Sequence, residues 1–429
     1  MKKKMISFAA VLGLMTLVGC SSTDSSSKSD GDTDKVKVEV FNIKTETAEQ
    51  MEELVEKFET AHPEIDINMT TVGGGTDADA ALQAKFSSGD EPALFMIGGL
   101  AGAQTWEHTL YDLGETELAN LAIEGTLEGA TLNEKVLGVP MNIEGYGWLI
   151  NKVIFEEAGI DTTKITSFED FKKAIETLDA KKDELGLKGV FAYSGGETWV
   201  SGQYSSNFIA PEFNNSLKET SEAKKLELTY SDRWQAYTDL AIKYNATPLE
   251  SMDYSTSVEE LFASGKAAII HQGNWIVPTL NSLDETFAKD KLDILPMFVD
   301  EKEEGNIVAG PAWYWCVNDN KDQEVIDASI EFLKWMYTDD EGMQMIVNDF
   351  GFIPPYTNFE SKDISDPLSS TIYQYLNDGN AVPWVHNSYP DGYPLNVVGV
   401  EIQSYAGKQT NWEEFKEILS TKWAEERTE

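Results

Sequence analysis

A chain of 429 residues is too long for one ordinary hydrophobic core, so two or three domains are expected. Its 41% hydrophobic and 11% aromatic content describes a packed protein, not a disordered one. With 33 Lys and Arg against 74 Asp and Glu, the net charge of −41 repels phosphate backbones and anionic bilayers and argues against nucleic-acid binding.

The chain starts with Lys2, Lys3 and Lys4, an apolar stretch from Met5 to Val18, and then Gly19-Cys20. That order is an export signal, and its apolar run is short for a bilayer span. "LVGC" also resembles the bacterial lipobox, which implies cleavage after residue 19 and lipid on Cys20; an uncleaved anchor or ordinary secretory signal is the alternative. Residues 20–34, rich in Ser and Asp, read as a tether. "DGDTD" has the acidic alternation of a calcium loop, but Lys35 and Phe41 stand where that loop needs glycine and glutamate, so no metal site is expected. If Cys20 is lipidated, Cys316 has no partner, and it reads as a small buried hydrophobe without a disulfide.

Alternating Val36, Val38 and Val40 predict a first strand. Thr47 and Gln50 predict a capping box for a helix whose face is Met51, Leu54, Val55 and Phe58. "EIDINMTTV" reads as a strand, "GGGTDADAALQAKFSS" as a glycine turn feeding a helix, and "PALFMIGG" as a strand buried on both faces. This β-α-β-α-β order predicts an open, mostly parallel sheet flanked by helices. Gly73-Gly74-Gly75 is a turn and not a phosphate loop, because no G-K-[ST] follows. Ser167 and Asp170 cap a helix carrying Phe168, Phe171, Ile175 and Leu178. Ile326, Ile330, Leu333 and Tyr337 mark another helical face, and "NWEEFKEILSTKWAEE" closes the chain.

No catalytic constellation stands out. His62, His108, His271 and His386 lie far apart in sequence, there is no G-x-S-x-G elbow, and no cofactor motif is present. A glycosidase carboxylate pair is defined by spatial separation and stays open. Aromatic residues recur at predicted element ends beside polar groups: Trp148, Trp199, Trp275, Trp313, Trp315 and Trp384. An aromatic plate can cover the C–H face of a sugar while amides and carboxylates take its hydroxyls. Taken singly, about half of such tryptophans serve the core. Trp335 and Trp423 sit at helical spacing and read as packing residues. Glu144 lies inside the strand-like run "VPMNIEGYGWLINK", where a carboxylate needs a partner or a polar cavity.

Taken together, "LVEKFETAHPEIDINM", "EKVLGVPMNIEGYGWLINKVIFEEAGID", "SVEELFASGKAAIIHQGNW", "IVAGPAWYWCVNDNKDQEVIDASIEFLKWMYTDDEG" and "YAGKQTNWEEFKEILSTKWAE" resemble the extracellular solute-binding proteins of ABC importers, in the carbohydrate branch that includes maltose-binding protein. The resemblance spans nearly all of residues 36–425. It implies an α/β, two-lobed periplasmic-binding-protein-like fold, each lobe an open, mostly parallel sheet, with hinge crossings near 142–146, 305–310 and 350–356. The N-lobe would be 36–142 with 309–352, and the C-lobe 145–306 with 355–429. It implies that Glu144 bonds sugar hydroxyls, that Trp275 stacks on a sugar ring, and that Glu197, Trp199, Trp313 and Trp384 complete the ligand-binding set. "MIGGLAGAQTW" departs from the maltose-binding pattern, with glycines where that relative has bulky contacts.

The implied role is a non-enzymatic, monomeric sugar receptor, held by lipid at the outer face of the cytoplasmic membrane of a Gram-positive cell. It would deliver its mono- or oligosaccharide to the transmembrane subunits of an ABC permease. The competing readings are an exported glycosidase and a receptor for a polyamine or peptide.

Overall fold

The computed structural model describes residues 35–72, 78–300, 304–360, 364 and 366–427. The expected export signal, tether, lipidated Cys20 and Gly73–Gly75 turn lie outside the described residues.

The valine alternation forms β1 (Val36–Asn42), followed by a helix at Ala48–Ala61. The helix buries Met51, Leu54 and Phe58, as its periodicity requires. The capping box does not form. A short 3-10 turn precedes the helix, and Thr47 turns its side chain inward, 1% exposed, with no cap bond. Then come β2 (Ile65–Thr71), a helix at Ala78–Ser88 and β3 (Leu94–Ile97), all four of whose residues are buried. β1 pairs in parallel with both β2 and β3.

After a small hairpin of β4 (Thr131–Leu132) and β5 (Lys135–Val136), the chain crosses between two sheets. β6 (Val139–Pro140) belongs to the first sheet and β7 (Ile143–Asn151) to the second, with only Met141 and Asn142 between them. The second sheet adds β8 (Ile269–Gly273), β9 (Leu292–Leu295) and β10 (Ile307–Pro311). The return is equally short: Ala312 and Trp313 separate β10 from β11 (Tyr314–Val317), which rejoins the first sheet. β12 (Ala381–Val382) completes the second. The orders are β2-β1-β3-β11-β6 and β12-β10-β7-β8, with β9 also on β7.

Pairing is more mixed than the parallel arrangement expected. β3–β11, β11–β6, β10–β7, β7–β8 and β7–β9 are antiparallel. The outgoing and returning crossings run in opposite directions side by side, so β7 and β10 must pair antiparallel. A third passage lies against them, where Ile353 bridges to Ile143 and the Tyr356 hydroxyl donates to the Pro140 carbonyl.

Each sheet has its own core. One gathers Val38, Phe58, Met96, Trp315 and Phe332; the other gathers Trp148, Phe171, Trp234 and Trp423. Ser167 does cap the helix Phe168–Ala180, accepting from the Asp170 amide at 3.1 Å. Trp335 and Trp423 are packing residues, as their spacing predicts. Trp148 and Trp315 are fully buried and belong to the cores. Cys316 is buried too, and burial pushes its thiol well above the usual range. Among the described residues no helix is long and apolar enough to cross a membrane.

Candidate functional site

The crossing strands set Glu144 at the junction of the two lobes, 2% exposed. A buried carboxylate there requires compensation. It comes from Lys44, two residues past β1, whose Nζ lies 2.5 Å from Glu144 Oε1. Asn142 Nδ2 donates to the same oxygen at 3.1 Å. The Lys44 ammonium also faces Glu46 at 3.4 Å. Its loop is tied by Asn42, which accepts from the Lys44 amide at 3.1 Å. Burial opposes the charge on Lys44, but the Glu144 and Glu46 carboxylates outweigh it and raise its pKa.

Above the Glu144 backbone lies Trp384, 4% exposed, whose Nε1–H donates to the Glu144 carbonyl at 3.1 Å. Trp384 meets Tyr146 edge-on, with centroids 4.9 Å apart, and Trp275 at 6.0 Å. Trp275 in turn lies 6.3 Å from Trp199, which stands 6.2 Å from Tyr254. Trp199, Trp275 and Trp384 are thus one continuous aromatic run, two of them partly exposed. Glu197 precedes the helix Thr198–Tyr204 and accepts from the Tyr254 amide at 3.3 Å, so it joins the same wall. Trp313 stands apart from this run. It occupies the return crossing, packs against the cores of both lobes, and lies beside Gly98.

The glycines after β3 now have a physical reason. Gly99 has φ +65, and a Cβ there would sit 2.6 Å from Asn387 Cβ. The turn is glycine so that the first lobe can touch the 3-10 turn Val385–Ser388 of the second. Asn387 also donates to the Ala312 carbonyl at 3.0 Å. A cavity of about 390 Å³ opens here, bounded by Gly99, Glu124, Glu128, Gly310, Trp384 and Asn387. A depression of about 480 Å³ among Asp239, Tyr405, Lys408 and Glu414 lies on the second lobe and contains none of the predicted site residues.

His386 adjoins the aromatic run, 5.3 Å from Trp384 between ring centroids. Its Nδ1 lies 3.0 Å from Ser206 Oγ and 3.4 Å from the Tyr146 hydroxyl. Burial pushes both His386 and His271 down to about 3, so both imidazoles are neutral at pH 7. Among the described residues no cluster of His, Cys, Asp or Glu suits a metal ion. The chemistry on offer is flat apolar faces, buried amides and one compensated carboxylate. That suits a neutral, hydroxyl-rich ligand with an apolar face.

Sequence reasoning missed Lys44, Tyr146, Asn387 and His386. For Lys44 a signal existed: it follows the carboxyl end of the first strand, where open α/β sheets form ligand crevices. For the others none existed, since their roles depend on contacts across 50 or more residues.

Comparison with known proteins agrees with the two-lobed fold. The pattern of a family described as bacterial extracellular solute-binding protein matches residues 53–370. The chain is 25% identical over 354 residues to a multiple sugar-binding protein of Streptococcus mutans, covering 76% of this chain and 78% of that protein. It is 23% identical over 342 residues to the xylose/arabinose-binding protein XacG of Haloferax volcanii, covering 77% and 71%. Its fold is similar to that of a chitin oligosaccharide binding protein, with a TM-score of 0.78 at 21% identity, covering 92% of this chain and 100% of that one.

Proposed function

The chain belongs to the bacterial extracellular solute-binding proteins, and on that premise we propose that it captures a mono- or oligosaccharide between its lobes for an ABC importer. The observation that carries this reading is the run Trp199–Trp275–Trp384 beside the buried Glu144 at the strand crossings. Trp275 and Trp199 supply stacking faces, and Trp384 and Trp313 complete the walls. Glu197 and the Glu144–Lys44 pair supply polar partners for hydroxyls. The two lobes, expected at 36–142 with 309–352 and 145–306 with 355–429 but with all of β7 and β10 carried by the second sheet, then close on ligand as a hinge transition, because the ligand contacts both.

The sugar-binding names of the two relatives support the ligand class. The Lys44 ammonium favours a neutral ligand over a polyamine, because Glu144 already has its cation. Binding without turnover follows from the family, which is one of receptors and not of hydrolases. Lipid on Cys20, the 20–34 tether, a Gram-positive cell surface, a monomeric state and delivery to permease subunits complete the proposal.

The test is thermal shift and tryptophan fluorescence against mono- and oligosaccharides, polyamines and peptides. A ligand at 100 times its Kd should add about 2.7 kcal/mol of stability. A sugar response without product after long incubation is the expected result. A response to polyamines alone would replace the ligand class, and cleaved sugar would make the protein an enzyme.

A further inference from the structure

We propose that Gln272 is a positioning residue that fixes the plane of the Trp275 indole. Gln272 is 1% exposed, one residue before the end of β8, and both ends of its amide face protein partners. Its Oε1 accepts the Trp275 Nε1–H at 2.8 Å. An indole N–H can only donate, so the amide must turn its oxygen toward the ring. The opposite end of that amide then points to Ser194 Oγ, at a long 3.5 Å. Ser194 is fully buried and begins the loop that carries Glu197 and Trp199.

The other end of the indole is fixed as well. It folds back over Gly273, where an added Cβ would collide with Cζ3. The ring is therefore held at its nitrogen by an amide and at its benzo edge by a bare backbone. A buried polar side chain costs free energy unless it is bonded, and an apolar residue would fill a strand position with less penalty. What the amide adds is orientation of the plate before ligand arrives, which lowers the ordering cost of binding.

This inference rests on the sugar-receptor reading, and the experiment separates the two. Sugar affinity is measured for the parent, Gln272→Met, Trp275→Phe and the double variant. In parallel, the Trp275 indole 15N–1H resonance, identified by its loss in Trp275→Phe, is recorded without ligand. Gln272→Met should weaken binding roughly 2- to 12-fold, the loss of one neutral hydrogen bond. It should also move the indole resonance toward that of an unbonded tryptophan. In the Trp275→Phe background, which has no N–H, the same change should have no effect on affinity.

Equal weakening in both backgrounds would overturn the proposal, since Gln272 would then act on the lobe as a whole. So would an unmoved indole resonance. If Gln272→Met does not fold, the parent resonance decides: slow exchange and a bonded shift support the pairing, and a solvent-like indole refutes it. If the parent binds no sugar, the receptor reading fails, while the resonance still reports on Gln272.

Discussion

Replacing Lys44 by methionine removes the only ammonium facing Glu144 among the described ion pairs and keeps the length of the side chain. Glu144 would be left 2% exposed, with Asn142 Nδ2 at 3.1 Å as its remaining side-chain donor. Breaking a buried pair from one side costs about 3–5 kcal/mol, because the surviving charge stays desolvated. The reverse change is milder. In Glu144→Gln the ammonium keeps Glu46 at 3.4 Å, and the new amide oxygen still accepts from it. A loss of ~1–3 kcal/mol is expected there, on the scale of a buried hydrogen bond to a charged group. The assay is urea denaturation at pH 7, comparing midpoints at constant m. The reasoning is refuted if Lys44→Met lies within ~0.5 kcal/mol of the parent, the scatter of ordinary surface substitutions. It also fails if Glu144→Gln is the more damaging change. A pH series adds an independent check. The folded Lys44 pKa is raised above 10.5, so its contribution is fully present below that pH. It fades as pH rises through the higher folded value, and the parent should then converge on Lys44→Met.

Trp275→Ala should weaken sugar binding by at least ~1 kcal/mol, the scale of an aromatic contact, while the melting curve stays cooperative; unchanged affinity in a folded variant would remove Trp275 from the site. Gly99→Ala places a Cβ 2.6 Å from Asn387 Cβ at a φ of +65, so it should destabilise contact between the lobes by ~1–3 kcal/mol and enlarge the particle seen by small-angle scattering. His271 and His386 are held neutral down to about pH 3 by burial, whereas an unfolded histidine charges near pH 6.5. Stability should therefore fall as pH drops below 6.5, by up to about 1.4 kcal/mol per unit for each histidine. His271→Phe should flatten that slope by one proton's share in urea titrations between pH 7 and 5, and an unchanged slope would refute the assignment.

The elements of this protein were written in local pattern. Alternating valines made β1, three-four spacing made the helices, and the apolar "ALFMI" made a strand buried on both faces. These are decided by side chains a few residues apart, so one sequence suffices to read them. The order of those elements, with the matching stretches along the chain, also carried the two-lobed class. The Thr47 capping box failed because an adjacent 3-10 turn, shaped by packing, redirected one side chain. Which strands would run antiparallel was not legible, because it depends on two crossings lying side by side. Nor was it legible which tryptophans would be walled into a core: Trp148 and Trp275 share the same kind of sequence setting, and one is fully buried while the other stays partly exposed. Tertiary structure alone placed Lys44 against Glu144, 100 residues along the chain, and Trp384 over the Glu144 carbonyl, 240 residues along. A carboxylate in a strand announces that it needs a partner; only the fold, by closing the loop between distant segments, decides which cation arrives.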